Sequence, residues 1–376
     1  MAISQFPPVE TGGGAGLQAY KGLPGSNAVN ISAGFYIVRY TEVDEFPITV
    51  NSQTIGSGTE VLILENDATS LDFVETFGEF TEQTVPNPPA LINNLAFNNN
   101  LYFALGRGYL ATSSDATSWT EQTLPSPPFD VWDATFGDGL YVVVGGGFGA
   151  YLATSTNATT WTQRSVPNFS SQLRAATFGN GVYVVGGDDG YVATSTDGTS
   201  WTERSLPNLT ARLWGIVFEN DLFLAFGESG YLATSTDGTS WTERSLAGSP
   251  TILRDATFGD GFFVIVGDSG YVATSADGIT WTERTVPNFT DRIEAVTFGD
   301  GLYLAAGGAD GYVATSFDAI TWEETTVPDF TSGLRGATFG NEVYLVGGDD
   351  AYVATGGFST NSQYLVLEPT ELTDLT

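Results

Sequence analysis

The chain has 376 residues, 41% of them hydrophobic, and a formal charge of −32 from 44 acidic against 12 basic residues. The apolar content suffices for a globular core, and the charge argues against binding to nucleic acid or anionic membranes, which depends on clustered cations. Cysteine and histidine are absent, which excludes disulfides, thiolate or histidine metal sites, and catalytic triads that contain histidine.

The first part of the chain lies outside the regular pattern that follows it. The N-terminus has no basic segment followed by an apolar stretch, so we expect neither a secretion signal nor a membrane span. Residues 1–33 are rich in glycine and are predicted to form a flexible arm. Residues 34–75 contain three predicted strands. They form a small β module that we expect to dock on a partner, because so short a segment buries only a modest core.

Residues 76–369 are predicted to form a repeat domain, and residues 370–376 a short tail. A tryptophan recurs in steps of 40 to 42 residues, at Trp119, Trp161, Trp201, Trp241, Trp281 and Trp322. Phe80 precedes this series and Tyr364 follows it at similar spacing. A second series, here called the phenylalanine series, comprises Phe97, Phe136, Phe178, Phe218, Phe258, Phe298 and Phe339. The two registers therefore predict seven units.

Each unit is predicted to contain four short strands, A to D. In the unit that begins at Arg174, an Asn180-Gly181 turn joins strands A and B, and these residue types suit the positive φ angles of a tight hairpin. Strand B is apolar throughout, as expected between two neighbouring sheets. Four antiparallel strands repeated seven times predict an all-β, seven-bladed β-propeller; an open solenoid would need polar end caps, which are not evident.

The seventh unit has two candidates for its fourth strand. One is the segment at Tyr364, and the other is the segment at Phe80, which would join the two ends of the repeat domain. We favour Phe80, because this arrangement covers both sheet edges at the junction.

The turn between strands C and D carries the pattern Ser195-x-Asp197-Gly198-x-x-Trp201, which recurs with variations in six units. The pattern resembles the Asp-box, or bacterial neuraminidase, repeat of sialidase-like propellers and their non-enzymatic relatives, over residues 80–364. It departs from the strict family motif in having glycine and tryptophan one position closer to the aspartate.

The resemblance implies that the acidic or amide side chain caps backbone amides, that glycine takes a positive φ, and that tryptophan packs between blades. The side chains in this structural role would be Asp115, Asn157, Asp197, Asp237, Asp277 and Asp318. Calcium is the alternative, but one carboxylate per turn falls short of the six or more oxygens that calcium needs. We therefore predict neither a metal nor a cofactor.

The position four residues before each member of the phenylalanine series varies in an otherwise regular repeat. It is occupied by Asn93, Trp132, Arg174, Trp214, Arg254, Glu294 and Arg335. Because this position starts the innermost strand, we expect these side chains to converge on the axis, on the rim formed by the D–A loops and B–C turns.

These residue types suggest a ligand site. The tryptophans suit stacking on sugar rings and the arginines suit pairing with carboxylates. Asp130, Asp133 and Asp255 could accept hydrogen bonds from hydroxyl groups. The alternative is that the side chains simply fill the axial opening, with each arginine paired to an acidic B–C turn such as Asp188-Asp189 or Asp349-Asp350.

Catalysis is the minority hypothesis. The resemblance to sialidases would imply three arginines around a carboxylate, a tyrosine nucleophile with a glutamate, and an aspartic acid, and no such tyrosine–glutamate pair can be placed in the repeat. Two carboxylate pairs are to be considered for ordinary glycoside hydrolysis, Glu294 with Asp255 and Glu294 with Asp133. We therefore predict no catalytic residues.

The sequence thus suggests a non-enzymatic protein of a bacteriophage-type virion or tail, made in a host cytoplasm and extracellular after release. Its N-terminal region would attach to other virion proteins, and the propeller would recognise a host-surface glycan, without nucleic-acid binding or membrane insertion. Two alternatives remain open: a purely structural decoration protein of a viral particle, and a sialidase-like glycan-cleaving enzyme.

Overall fold

The computed structural model describes five strands between residues 36 and 77, and residues 80–369 apart from Phe148, Thr210, Ser249, 287–288, 309–310 and 328–332. The predicted arm, 1–33, and tail, 370–376, lie outside these residues. The chain divides into two compact units, Glu79–Gly357 and a second unit that combines Met1–Gly78 with Phe358–Thr376. In the part that the structure describes, there is no apolar helix of membrane-spanning length.

The described strands of the smaller unit form three antiparallel pairs. Tyr36–Tyr40 pairs with Glu60–Leu64, Ile48–Val50 with Gln53–Ile55, and Ala68–Phe77 with Phe358–Pro369. Strands therefore occur in all three predicted segments of residues 34–75.

The larger unit is a seven-bladed β-propeller of four-stranded antiparallel blades, as predicted. The A strands are Ile92–Asn98, Asp130–Gly137, Leu173–Gly179, Leu213–Glu219, Leu253–Gly259, Ile293–Gly299 and Leu334–Gly340. The B strands are Leu101–Gly106, Leu140–Gly146, Val182–Gly187, Leu222–Gly227, Phe262–Gly267, Leu302–Gly307 and Val343–Gly348.

The outer half of each blade consists of strands C and D. The C strands are Tyr109–Ser113, Tyr151–Ser155, Val192–Ser195, Leu232–Ser235, Val272–Ser275, Tyr312–Ser316 and Val353–Gly356. The D strands of blades 1 to 6 are Thr120–Glu121, Thr162–Arg164, Thr202–Arg204, Thr242–Arg244, Thr282–Arg284 and Glu323–Thr326. Single 3-10 turns, Asp188–Gly190 and Asp268–Gly270, join strands B and C in blades 3 and 5.

Blade 7 takes its D strand from the start of the propeller. Thr81–Glu82 pairs with strand C of blade 7, with Thr81 opposite Thr355 and Glu82 opposite Ala354. The side-chain amide of Gln83 donates a further hydrogen bond of 2.9 Å to the Thr355 hydroxyl. The favoured arrangement at the junction is therefore the one observed.

The strand at Tyr364 lies elsewhere. Phe358–Pro369 pairs with Ala68–Phe77 in the smaller unit, so the compact propeller unit ends at Gly357, short of the predicted limit at residue 369. The physical reason is that Thr81–Glu82 already occupies the outer edge of blade 7.

The hydrophobic core lies between adjacent blades. One cluster, for example, joins Leu105 of blade 1 to Val131 and Trp161 of blade 2. The phenylalanine series packs against small residues: in five blades the ring lies on the glycine that ends strand A of the preceding blade, such as Phe218 on Gly179. A methyl group at Gly179 would overlap that ring, so the glycine here serves close packing.

Buried tyrosines add polar contacts between blades. The Tyr183 hydroxyl donates to the Gly137 carbonyl of the preceding blade, and the Tyr344 hydroxyl donates to the Gly299 carbonyl in the same way. Burial raises the pKa of Tyr183 to about 12, so the hydroxyl keeps its proton at neutral pH. These bonds satisfy polar atoms that would otherwise be buried without a partner.

Candidate ligand site at the axial mouth

Every blade has a β-bulge near the start of strand A. The pairing of strands A and B skips one residue there, for example Arg174 between Leu173 and Ala175. The skipped residues are Asn93, Trp132, Arg174, Trp214, Arg254, Glu294 and Arg335. They are the seven variable residues identified from the sequence. A bulge leaves one residue out of the ladder and redirects its side chain, so the fold presents a variable side chain at the same place in every blade.

These seven residues, here called the axial mouth, line a cavity of about 560 Å³ that is bounded by the A strands of all seven blades. Each A strand also contacts those of the neighbouring blades, including blade 7 with blade 1. The predicted convergence on the axis is therefore observed.

Four side chains of the axial mouth form a continuous stack across blades 2 to 5, here called the stack. The Arg174 guanidinium lies 4.7 Å from the ring centroid of Trp132 and 4.7 Å from that of Trp214. Arg254 covers Trp214 at 4.5 Å. Arg212, from the D–A loop before blade 4, adds a further contact to Trp214 at 5.2 Å. These distances are typical of cation–π interactions.

The arginines of the stack are also held by acidic side chains of the B–C turns. Arg174 Nε lies 2.6 Å from Asp188 Oδ1, and Arg254 Nε lies 2.7 Å from Asp268 Oδ1. Arg335 makes the same contact with Asp349. The pairing expected if these side chains fill the axial opening is thus present. The guanidinium groups of Arg174 and Arg254 already bind internal partners, so few of their N–H groups remain for a ligand.

Glu294 continues this network into blade 6. Its carboxylate accepts from Arg254 Nη1 at 3.2 Å and from Arg292 Nε at 2.7 Å. Burial raises the pKa of Glu294, while the nearby arginines act in the opposite direction. Glu294 therefore serves as the anchor at this end of the stack.

The stack is interrupted at blades 7 and 1. Among the described residues, Arg335 forms a single ion pair, with Asp349, and its side chain is 27% exposed. Asn93 is buried and donates to Asp130 Oδ1 and to the Val131 carbonyl, both at 3.2 Å. Trp132 carries a guanidinium on one side, and its indole Nε1 donates to Gln172 at 3.1 Å. Both Arg335 and Trp132 line the axial cavity.

Asp133 and Asp255 occupy equivalent positions just after the bulge in blades 2 and 5. Asp133 Oδ2 accepts from the Ala176 amide of blade 3 at 3.0 Å, and Asp255 Oδ2 accepts from the Val296 amide of blade 6 at 2.9 Å. Each Oδ1 accepts at 2.8 Å from the amide of the following residue. Burial raises the pKa of both carboxyls to about 7, against the effect of these hydrogen bonds. Asp133 therefore links blade 2 to blade 3, and Asp255 links blade 5 to blade 6.

Sequence reasoning missed several residues of this region. Gln172, Arg212 and Arg292 all lie two positions before a bulge residue and contact the axial mouth. Glu219 replaces the glycine that ends strand A in most blades; it lines the axial cavity, and burial raises its pKa to about 7. Its departure from the repeat was a signal that could have identified it.

The six C–D turns lie on the opposite rim and have the geometry expected of structural turns. Asp197 Oδ1 accepts from the amides of Thr199 and Ser200 at 2.8 and 2.7 Å, and Gly198 has φ of 66°. The Trp201 indole donates to the Gly198 carbonyl at 3.3 Å. The equivalent capping bonds are present at Asp115, Asn157, Asp237, Asp277 and Asp318. Within the described residues, no group of three or more acidic side chains is arranged to hold a metal ion.

The sequence and the fold have recognisable relatives. A family model described as DUF6242 beta propeller domain matches residues 49–173, 134–253 and 168–292. No curated protein sequence matches the chain.

Solved structures share the architecture at low sequence identity. Virginiamycin B lyase from Staphylococcus aureus is 16% identical, with a TM-score of 0.68 over 76% of this chain and 100% of that chain. The WD40 beta propeller domain of Doa1 is 12% identical, with a TM-score of 0.62 over 77% and 99% of the two chains. YCF48 from Cyanidioschyzon merolae is 14% identical, with a TM-score of 0.60 over 74% and 99%. These similarities establish the fold alone.

Proposed function

We propose that this chain, which belongs to the DUF6242 beta propeller domain family, is a non-catalytic recognition protein that holds an acidic sugar at the axial mouth. The observation that carries the proposal is the gap in the stack at blades 7 and 1. There, among the residues that the structure describes, Arg335 forms one ion pair and Trp132 is covered by one arginine, Arg174.

The two side chains supply complementary chemistry. The ring of Trp132 suits the apolar face of a sugar ring, and the remaining N–H groups of Arg335 suit a carboxylate. Trp214 is less suited to stacking, because Arg174, Arg212 and Arg254 surround its ring. The proposal therefore assigns recognition to Trp132 and Arg335, and it assigns support of the mouth to Arg174, Trp214 and Arg254.

The acidic side chains favour binding over hydrolysis. Glycoside hydrolysis needs two carboxyl groups that can approach the scissile bond, about 5 to 10 Å apart. Asp133 and Asp255 are occupied by backbone amides of neighbouring blades, and Glu294 is occupied by two arginines. Their engagement supports a non-catalytic role.

The proposal also places the propeller on a viral particle, attached through residues 1–75 and facing a host-surface glycan. The acidic composition supports an exposed, soluble domain. The capping bonds and positive φ of the C–D turns support kinship with the Asp-box repeat. Imaging of purified particles tests this part: a mouth rim facing solvent is expected, and a rim buried against another chain would favour the structural decoration role.

Binding to sugars is tested with the intact chain. A glycan array, followed by calorimetry, should show binding to carboxylated oligosaccharides and weaker binding to the same sugars with the carboxyl reduced. Trp132→Ala and Arg335→Ala should each weaken binding at least about tenfold, the equivalent of about 1.4 kcal/mol. Arg284→Ala is the matched control, because Arg284 lies on an outer strand and donates to Thr274.

Three results would contradict the proposal. These are an array without hits, binding that neither variant weakens, and equal binding of the carboxylated and reduced sugars. Release of reducing sugar or of sialic acid, abolished by Glu294→Gln, would instead establish the glycosidase alternative.

A further inference from the structure

The rim opposite the axial mouth, here called the acidic rim, has a distinct charge. It is formed by the A–B turns and the C–D turns, which meet where Asn180 of blade 3 donates to the Thr236 carbonyl of blade 4 at 3.1 Å. These turns contain ten carboxylates: Asp115, Asp138, Asp197, Asp221, Asp237, Asp260, Asp277, Asp300, Asp318 and Glu342. They contain no lysine and no arginine. A surface with a single sign of charge attracts a partner of the opposite sign.

Two adjacent blades break the polar pattern of this rim. Two residues after the capping Asp or Asn, blades 1 to 4 carry threonine, at Thr117, Thr159, Thr199 and Thr239. Blades 5 and 6 carry Ile279 and Ile320 instead, which are 47% and 44% exposed. Together with Phe129, they are the large hydrophobic residues that the structure shows as exposed.

A second position of the same turn changes in the same two blades. The residue before the capping side chain is serine or threonine in blades 1 to 4, at Ser114, Thr156, Thr196 and Thr236, and it is Ala276 and Phe317 in blades 5 and 6. Ala276 is exposed and Phe317 is half-buried. Blades 5 and 6 are therefore apolar at two positions where the other four are polar.

The backbone hydrogen bonds of the turn do not require isoleucine at this position. The Ile279 amide donates to Asp277 Oδ1 at 2.8 Å, and the Thr199 amide donates to Asp197 Oδ1 at the same distance. Threonine thus supports the same backbone geometry in other blades. Exposed apolar side chains that are grouped, here at the same turn position of two neighbouring blades, are typical of a contact surface.

We propose that the acidic rim of blades 5 and 6 is a docking surface for a basic protein segment that also carries apolar side chains, with Ile279 and Ile320 as its apolar contacts. Lysine or arginine side chains of that segment would pair with the surrounding carboxylates, such as Asp260, Asp277 and Asp318. A second copy of this rim is a poor occupant, because two surfaces of the same charge repel each other. The site is separate from the axial mouth.

The experiment uses the intact chain and three fluorescent synthetic peptides of equal length. One alternates lysine with leucine, one lysine with serine, and one glutamate with leucine. Dissociation constants are measured by anisotropy at low and physiological salt. The lysine–leucine peptide should bind most tightly, and its affinity should fall as salt rises.

The double variant Ile279→Thr and Ile320→Thr restores the residue found in blades 1 to 4, so we expect it to fold normally. It should weaken lysine–leucine binding about tenfold and leave the weaker lysine–serine binding unchanged. The double variant Thr199→Ser and Thr239→Ser changes the same turn position in blades 3 and 4 and should change neither affinity.

Three outcomes would overturn the proposal. The first is equal affinity of the native chain and the isoleucine variant for the lysine–leucine peptide. The second is equally tight binding of the glutamate–leucine peptide. The third is self-association of the native chain in sedimentation that the isoleucine variant abolishes, since this would identify a second copy as the occupant.

Discussion

Replacing Arg174 by alanine should destabilise the propeller strongly, although the residue lies beside the candidate ligand site. Arg174 is buried, stacks between Trp132 and Trp214 at 4.7 Å from each ring, and pairs with Asp188 at 2.6 Å. Two desolvated cation–π contacts contribute about 1 kcal/mol each, and loss of the ion pair and of aliphatic packing adds about 1 to 2 kcal/mol. The loss of the ion pair is limited, because Asp188 keeps Arg212 at 2.8 Å.

The expected cost for Arg174→Ala is therefore about 3 to 4 kcal/mol, or a fall in Tm of about 6 to 8 °C for a domain of this size. Arg335→Ala is the matched comparison, because Arg335 pairs with Asp349 in the equivalent position but is 27% exposed and outside the stack. Its cost should be about 1 kcal/mol or less. Urea denaturation and thermal scans of both variants measure the difference. Equal shifts, or a shift below about 1 kcal/mol for Arg174→Ala, would refute the assignment of the stack as the support of the mouth.

Three further predictions concern stability. Burial raises the pKa of Asp133 and Asp255 to about 7. Above about pH 4 the folded state therefore binds more protons than the unfolded state. The free energy of unfolding should fall by about 2 to 3 kcal/mol per residue from pH 5 to pH 8. In urea titrations at both pH values, Asp133→Asn with Asp255→Asn should remove the part of this fall that the two residues contribute and leave the part from Glu219, whose pKa burial also raises to about 7. Asp277→Asn should leave the fall unchanged, because backbone hydrogen bonds lower the pKa of that carboxyl. Gly179→Ala should lower the free energy of unfolding by more than about 3 kcal/mol, because the added methyl group would overlap Phe218. Gly181→Ala has open space but a φ of 75°, so it should lower this free energy by about 1 to 2 kcal/mol. Similar urea midpoints for the two variants would contradict the packing argument. Phe80→Ala should cost about 3 to 4 kcal/mol because the ring is 5% exposed beside the strand that closes blade 7, and Phe129→Ala, 44% exposed, should shift Tm far less.

The repeat predicts the blades well because each blade is specified by local chemistry. Asn180 and Gly181 have φ of 49° and 75°, as their hairpin requires, and the buried strand Val182–Gly187 corresponds to the apolar segment of the sequence. The period then fixes the number of blades. The end of the propeller at Gly357 was harder to predict, because it depends on which of two strands occupies one edge.

The residues of the axial mouth were predicted from the sequence, but only some of their contacts were. Variation at one repeat position identified Arg174 and Trp214, and the acidic B–C turn suggested Asp188 as a partner. The bulge depends on the register of strands A and B, and stacking of Arg174 between two indoles depends on the spacing of neighbouring blades. Neither quantity is contained in the sequence of one repeat.

The fold constrains the side chains of the two rims differently, and this difference explains where the sequence varies. Towards the acidic rim, the Phe-on-Gly contacts and the tyrosine hydroxyl bonds join successive blades, and the C–D turns are capped in nearly the same way in six blades. At the axial mouth each side chain leaves the strand at a bulge, so its identity does not alter the pairing of strands A and B. Substitutions there leave the register of strands A and B unchanged, even where they remove stabilising contacts, as at Arg174. Glu219 replaces a packing glycine at the end of a strand A, and burial raises its pKa, so it should carry the cost of a buried carboxyl. Arg174 and Glu294 in the mouth differ, because ion pairs offset their burial.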